Sequence, residues 1–164
     1  MGRPPLSARE PDPRWLRKPA PVRSALIDSG PLIALFNGAD RWHQPVLIWL
    51  RANPEVQLHT TWPVLTEVCA LLARRIHNQA ALDFLQWVKR GALHLDNPPL
   101  GAIASVADIC RRFADLPLDL ADASIAEAAG RLKIQSVVSL DQDFDIYRDA
   151  RGAVLVNLLR PSQV

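Results

Sequence analysis

From Ser24 onward, short apolar runs alternate with stripes of apolar residues at helical spacing. Ser24–Asp28 (SALID) is a compact apolar run ending in a carboxylate and reads as a strand. Residues Pro31–Asn37 predict a short helix, with Pro31 tolerated in its first turn and Gly38 as its stop. After Pro45, the side chains of Val46, Leu47 and Leu50 share one helical face, and Val56–Thr60 then alternates as a strand does. Pro63 opens a strong helix whose stripe is Val64, Leu65, Val68, Leu71 and Leu72. A second stripe, Ala81, Leu82, Leu85 and Val88, is closed by Gly91. Leu93–Asp96 is a short strand, and Ile103, Val106, Cys110 and Phe113 mark a further helix. Asp119 has the position of an N-cap for a helix running to about Leu132, with Ile125, Ala128, Ala129 and Leu132 inward. Ile134–Leu140 is a strand of the buried type, and Val154–Asn157 is the last. Strands that are apolar throughout, separated by helices, predict an α/β fold: a three-layer αβα sandwich around a central parallel sheet. In such sheets the working crevice lies beyond the carboxyl ends of the strands.

The first 23 residues obey a different pattern. They hold six of the 14 prolines and six basic residues (Arg3, Arg9, Arg14, Arg17, Lys18, Arg23) against Glu10 and Asp12. Proline removes ladder donors and holds the chain extended, so 1–23 is expected to be a flexible basic arm, 24–160 the domain and 161–164 a tail. The arm carries a net +4 and the rest of the chain −2, an asymmetry that the overall +2 conceals. An arm of this kind suits RNA phosphates or an acidic partner, and equally a solvated leader. A hydrophobic fraction of 49% and a charged fraction of 22% are those of a soluble globular chain. No run is long and apolar enough for a membrane span, and Cys69 and Cys110 lack any paired spacing. Both features point to a cytoplasmic protein.

Four carboxylates are expected at one edge of the sheet. Asp28 ends the first strand, Glu67 lies in the first turns of the Pro63 helix, Asp122 opens the Asp119 helix, and Asp141 follows the strand ending at Leu140. Taken singly, each has an ordinary explanation. Asp28 beside Gly30 forms turns, Glu67 suits a helix start, Asp119 and Asp122 make a capping pair, and Asp141 and Asp143 solvate a loop. Gathered together they repel, by about 4 kcal/mol for two unit charges ~4 Å apart at an effective dielectric of about 20. A fold that collects them must raise their pKa values or bind a cation. Oxygen ligands alone suit Mg²⁺ or Mn²⁺, and His43, His59, His77 and His94 show no zinc-pair spacing. A divalent ion at such an edge suits phosphodiester chemistry, where it polarises an oxygen and activates water. No GxxxxGK[ST], GxGxxG or GxSxG motif offers a competing chemistry.

The motifs themselves resemble those of a known family. Asp28-Ser29-Gly30-Pro31-Leu32-Ile33-Ala34-Leu35 resembles the opening strand and turn of PIN domains, and Glu67 in Val64-Leu65-Thr66-Glu67-Val68 their second acidic position. Leu118-Asp119-Leu120-Ala121-Asp122-Ala123-Ser124 is similar to the third motif, and Ser139-Leu140-Asp141-Gln142-Asp143-Phe144 to the fourth. The resemblance runs from Ala25 to about Leu158 and is strongest to VapC-like toxin ribonucleases of toxin–antitoxin pairs. It implies an Mg²⁺- or Mn²⁺-dependent endoribonuclease in which Asp28, Glu67, Asp122 and Asp141 hold one or two ions. Ser29 and Ser139 would hydrogen-bond ligands, substrate or water, Asp119 would cap or support, and Asp143 would support or replace Asp141. It also implies a homodimer, held inactive by an antitoxin protein occupying the acidic groove. The products would be a 5′-phosphate and a 3′-hydroxyl.

Basic pairs at Arg74-Arg75, Lys89-Arg90 and Arg111-Arg112, with Arg131, Lys133, Arg148 and Arg151, are candidates for phosphate contacts or for solvated helix ends. Trp42, Trp49, Trp62 and Trp87 suit packing better than base stacking. The alternative to a nuclease is a non-catalytic RNA-binding or antitoxin-interacting module on the same fold. A phosphatase with Asp28 as nucleophile ranks below both, because Gly30 stands where that chemistry wants a second acid.

Overall fold

The computed structural model describes residues 23–116 and 119–159. Apart from Arg23, the expected basic arm lies outside these residues, as does the C-terminal tail. Among the described residues five strands form one sheet: β1 (Ser24–Ile27), β2 (Gln57–Thr60), β3 (His94–Leu95), β4 (Ser136–Val138) and β5 (Val156–Asn157). Their order is β3-β2-β1-β4-β5, and every neighbouring pair is parallel. The helices are α1 (Ser29–Phe36), α2 (His43–Ala52), α3 (Trp62–Arg75), α4 (Asn78–Lys89), α5 (Ala102–Arg112) and α6 (Leu120–Leu132). Ala25, Leu26 and Ile27 of β1 are all sealed from solvent, although successive strand residues face opposite sides. Both faces of the sheet are therefore covered, and the molecule is the expected αβα sandwich with β1 at its centre.

Several helix faces differ from the periodicity reading. Helix α4 buries Ala80, Ala81 and Phe84, while Leu82 and Leu85 face solvent. The aromatic ring decides this orientation: Phe84 packs edge-on against Phe36 at 5.5 Å and beside Trp87. Ile103 of α5 is exposed and the buried line is Ala102, Val106 and Ile109. Helix α6 is no amphipathic surface helix, because Ala121 and every residue from Ala123 to Gly130 are buried. Its small side chains let sheet and helices close around it on all sides. Trp42, Trp49 and Trp87 pack half-buried against the core as expected, whereas Trp62 is exposed.

Helix ends explain the remaining differences. α1 begins earlier than Pro31 because Asp28 caps it, and it ends at Asn37 without needing Gly38 in a left-handed conformation. Gly91 does close α4, at φ 85°. The predicted strand from Ile134 starts two residues later, since Lys133 adopts the left-handed cap (φ 58°) and the Ile134 N–H returns to Ala129 O at 3.1 Å. Val154 pairs antiparallel with Arg148 in an isolated bridge, so β5 begins only at Val156.

Gly130 marks the tightest approach to α6. A Cβ there would stand 3.3–3.4 Å from the side chain of Asp149. Asp149 cannot yield, being fully buried and accepting bonds from Arg151 N (2.8 Å), Ala153 N (2.8 Å) and Gln135 Nε2 (3.1 Å). Burial opposes its charge, but the bonds from Ala153, Gln135 and Arg151 outweigh burial and hold the carboxyl below its usual range. Gly130→Ala is therefore expected to destabilise the domain by about 1 kcal/mol in urea unfolding, overpacking outweighing the helix propensity gained. A variant as stable as the parent would show that the Asp149 turn moves freely.

Candidate functional site

The carboxyl ends of β1 and β4 lie side by side, and the site grows from them. Asp28 N–H donates to Val138 O at 3.1 Å, which continues the β1–β4 ladder one step past β1. The Asp28 side chain is buried and has two partners. It accepts from Ser29 N–H at 2.6 Å, which caps α1, and from the Ser139 hydroxyl at 2.9 Å. The same hydroxyl accepts from Asp141 N–H at 2.9 Å. Asp141 in turn accepts from Asp143 N–H at 2.8 Å and caps a short 3-10 turn, Gln142–Asp145. Asp28, Ser139 and Asp141 thus form one continuous polar chain across the strand ends.

Asn157, which sequence reading did not single out, holds that chain in place. From the end of β5 its amide donates to Ser139 O (3.1 Å) and Asp141 O (3.3 Å), and its oxygen accepts from Ser139 N–H and Leu159 N–H (both 3.2 Å). The signal was a lone buried amide within the apolar run VLVNLL. Buried polar side chains persist where every group is satisfied, and here the partners are main-chain atoms of the β4 exit and of Leu159.

The other two acids arrive on helices. Asp119 is exposed and caps α6 by accepting from Asp122 N–H at 3.0 Å, as the D-x-x-D pattern predicted. That fixes Asp122, half-buried, in the first turn of α6. Glu67 is half-buried on α3, and α3 is tied to α6 by a hydroxyl pair, Thr61 to Ser124 at 2.6 Å. Ser124 spends its own proton on Ala121 O at 2.7 Å, so Thr61 is the donor in that pair.

These acids act on one another. Burial pushes the Asp28 carboxyl up to about 6, with the charges of Glu67 and Asp141 adding to it and the bonds from Ser29 and Ser139 opposing it. Asp122 is pushed up to about 8, first by burial and then by Asp28, Asp119 and Asp141. The four expected acids therefore share one electrostatic field. They do not form a closed coordination sphere: among the described residues no three acidic, imidazole or thiol groups stand close enough to hold one ion. The donor chemistry still fits a hard divalent cation, being entirely oxygen, and a cation would relieve the raised pKa values. Of the supporting residues, Ser139 bridges two acids, Ser29 supplies a backbone N–H, and Asp119 is a cap. Asp141 acts on both Asp28 and Asp122, which separates it from Asp143.

Several candidate phosphate contacts are already engaged in structure. Arg131 bonds Glu127 (2.9 Å) and Asp96 (3.1 Å), Arg112 reaches Asp149 O (3.2 Å), and Arg148 folds onto the carbonyls of Asp145, Ile146 and Tyr147. Arg111 pairs with Asp108 on the surface and Arg151 with Asp149. Arg74, Arg75, Lys89, Arg90 and Lys133 remain exposed at helix ends.

Comparison with known proteins agrees with this architecture. The PIN domain model matches residues 25–150, and the chain belongs to the PIN-domain family. Ribonuclease VapC26 of Mycobacterium tuberculosis (strain ATCC 25618 / H37Rv) is 26% identical over 117 residues, covering 71% of this chain and 86% of the relative. The crystal structure of VapC20 from the same species, described as a sarcin-ricin loop cleaving toxin, superposes with a TM-score of 0.69 at 22% identity. It covers 81% of this chain and 98% of VapC20. VapBC2 from Rickettsia felis, solved bound to a DNA fragment from its promoter, matches with a TM-score of 0.57 at 13% identity, over 82% and 96% of the two chains. The resemblance drawn from the four motifs is thereby borne out, as is the fold.

Two outcomes follow from the geometry. Asn157→Ala is expected to cost about 1–3 kcal/mol in denaturant unfolding, since it strands main-chain groups of Ser139 and Asp141 in a buried setting; an unchanged midpoint would count against the clamp. Asp122 has its folded pKa raised, so its contribution is favourable below the unfolded value near 3.8 and is lost as pH rises through about 8. In chelator, Asp122→Asn should therefore gain in Tm over the parent as pH goes from 5 to 8, and a pH-independent difference would contradict the shift.

Proposed function

We propose that this chain is an endoribonuclease that hydrolyses RNA phosphodiester bonds with Mg²⁺ or Mn²⁺ held by Asp28, Glu67, Asp122 and Asp141. The observation that carries this reading is the shared field of these acids at the carboxyl edge of the sheet, on a chain of the PIN-domain family. A bound divalent cation supplies charge stabilisation at the phosphoryl group and lowers the pKa of a water nucleophile. The remaining work falls to the protein. Ser139 orients Asp28 and sets the Asp141 backbone at a fixed distance from it. Asp119 fixes the first turn of α6, which carries Asp122. The Thr61–Ser124 bond keeps α3, which carries Glu67, in register with α6.

The relatives suggest the biological setting. VapC26 is named a ribonuclease and VapC20 a toxin that cleaves the sarcin-ricin loop, while VapBC2 is a two-component assembly. By that likeness the protein acts as the toxin of a toxin–antitoxin pair, forms a homodimer and is silenced by an antitoxin protein. It works in the cytoplasm; among the described residues no helix is long and apolar enough to cross a membrane.

The test is RNA cleavage with Mg²⁺, with Mn²⁺ and in chelator, for the parent and Asp28→Asn. Cleavage is expected only with the cation, and the variant should lose activity on the order of 100-fold or more while its circular dichroism is unchanged. Cleavage that persists in chelator, or an Asp28→Asn protein as fast as the parent, overturns the reading. RNA binding without cation uptake or turnover would instead favour the non-catalytic module.

A further inference from the structure

Tyr147 is the only tyrosine in the sequence, and it lies just past the 3-10 turn that Asp141 caps. Its ring is fully buried and held edge-on by Phe113 (5.5 Å) and Phe144 (5.3 Å), and its N–H donates to Asp143 O at 2.9 Å. Position and orientation are therefore fixed by packing that a phenylalanine would satisfy equally well. The hydroxyl has no hydrogen-bond partner among the described residues. A buried hydroxyl left unpaired costs about 1–3 kcal/mol, so its presence calls for an acceptor in some state of the protein. The charged groups acting on it are all carboxylates: Asp122 most strongly, then Asp141, Asp143 and Asp119. Burial and these charges push the phenol's pKa up, so that it stays a neutral O–H donor at any working pH. A carboxylate is the strongest acceptor such a donor can find, and the carboxylates acting on this phenol are those of the acidic edge.

We propose that Tyr147 is a positioning residue of the acidic site, whose hydroxyl donates a hydrogen bond to the Asp122 carboxylate when a divalent cation draws the acids together. Asp119 meets Asp122 through the Asp122 backbone N–H, and among the described residues no hydrogen bond to the Asp122 side chain is seen. Tyr147 gives that side chain a direction from just past the 3-10 turn that Asp141 caps, so it couples the fourth acidic motif to the third. The inference rests on the proposed metal-dependent chemistry, and the experiment separates the two.

Mn²⁺ binding is measured by calorimetry on the full-length parent and on Tyr147→Phe, and thermal unfolding of both is followed in chelator. The variant is expected to bind Mn²⁺ about 10-fold more weakly, the loss of one hydrogen bond to a charged group. In chelator its Tm should equal or exceed the parent's, because an unpaired hydroxyl has been removed. A variant-free readout comes from 3-fluorotyrosine, which places a single ¹⁹F label at Tyr147. Its resonance should move on Mg²⁺ titration and saturate at the Mg²⁺ dissociation constant measured by calorimetry. Equal Mn²⁺ affinity of parent and variant, a resonance indifferent to Mg²⁺, or a lower Tm of the variant in chelator would each overturn the assignment. If the parent binds while Tyr147→Phe binds equally well, only the tyrosine's role falls. If the parent takes up no cation, the metal-dependent reading falls with it.

Discussion

Asp28 leaves the end of a strand whose last three residues are sealed from water, so its carboxylate depends on what the neighbouring chain ends supply. The decisive contact is the hydrogen bond from Ser139, a residue 111 positions further along the chain. It requires β1 and β4 to lie side by side in the observed register, with Ile27 opposite Val138. Ser139 in turn is held by Asn157 on both its N–H and its C=O, and Asn157 is placed by the pairing of β4 with β5. Asp28 and Asp141 are thus late links in a chain of backbone decisions, whereas Asp122 is set within its own helix turn by Asp119.

The treatment of charge elsewhere in the domain sharpens the contrast. Asp96 and Glu127 are nearly buried, and both are paired with Arg131, a geometry that satisfies all three groups. Asp149 is fully buried and surrounded by N–H donors, which keep it ionised at low cost. This fold therefore knows how to neutralise an interior carboxylate. At the sheet edge burial first, and then the neighbouring acids, push the Asp28 and Asp122 carboxyls up, and the bonds from Ser29 and Ser139 to Asp28 do not offset it. Unbalanced charge of this kind is tolerated where a ligand completes it, which is the basis of the site proposed at this edge.

Much of this was legible in the sequence, and the rest was hidden for identifiable reasons. Apolar strands such as SALI announced a sheet covered on both faces, and the order of the four acidic motifs placed each at a strand exit or helix start. The Asp119 cap followed from local spacing, because capping is decided within one turn. Helix faces were read less well. Periodicity ranks Leu82 and Leu85 above Ala80 and Phe84 for burial, but the contact of Phe84 with Phe36 is non-local and sets the rotation of α4. For α6 the stripe was real but incomplete, since a helix of small residues can be surrounded on every side. Asn157 and Tyr147 escaped because neither belongs to a motif; their meaning comes from main-chain atoms and rings supplied by distant segments.

The all-parallel topology has a consequence for synthesis. Strand β1 is made first yet pairs with β4, and the clamp on β4 is among the last described residues. Long-range parallel pairing is slow to form, and domains grow from the N-terminus on the ribosome. A nascent chain ending before β5 has Asp28, Glu67 and Asp122 translated but lacks the amide that fastens the β4 exit. The arrangement at the sheet edge is therefore completed only once β5 has been made, and a product that stops short of β5 would carry most of the acids and little of their arrangement.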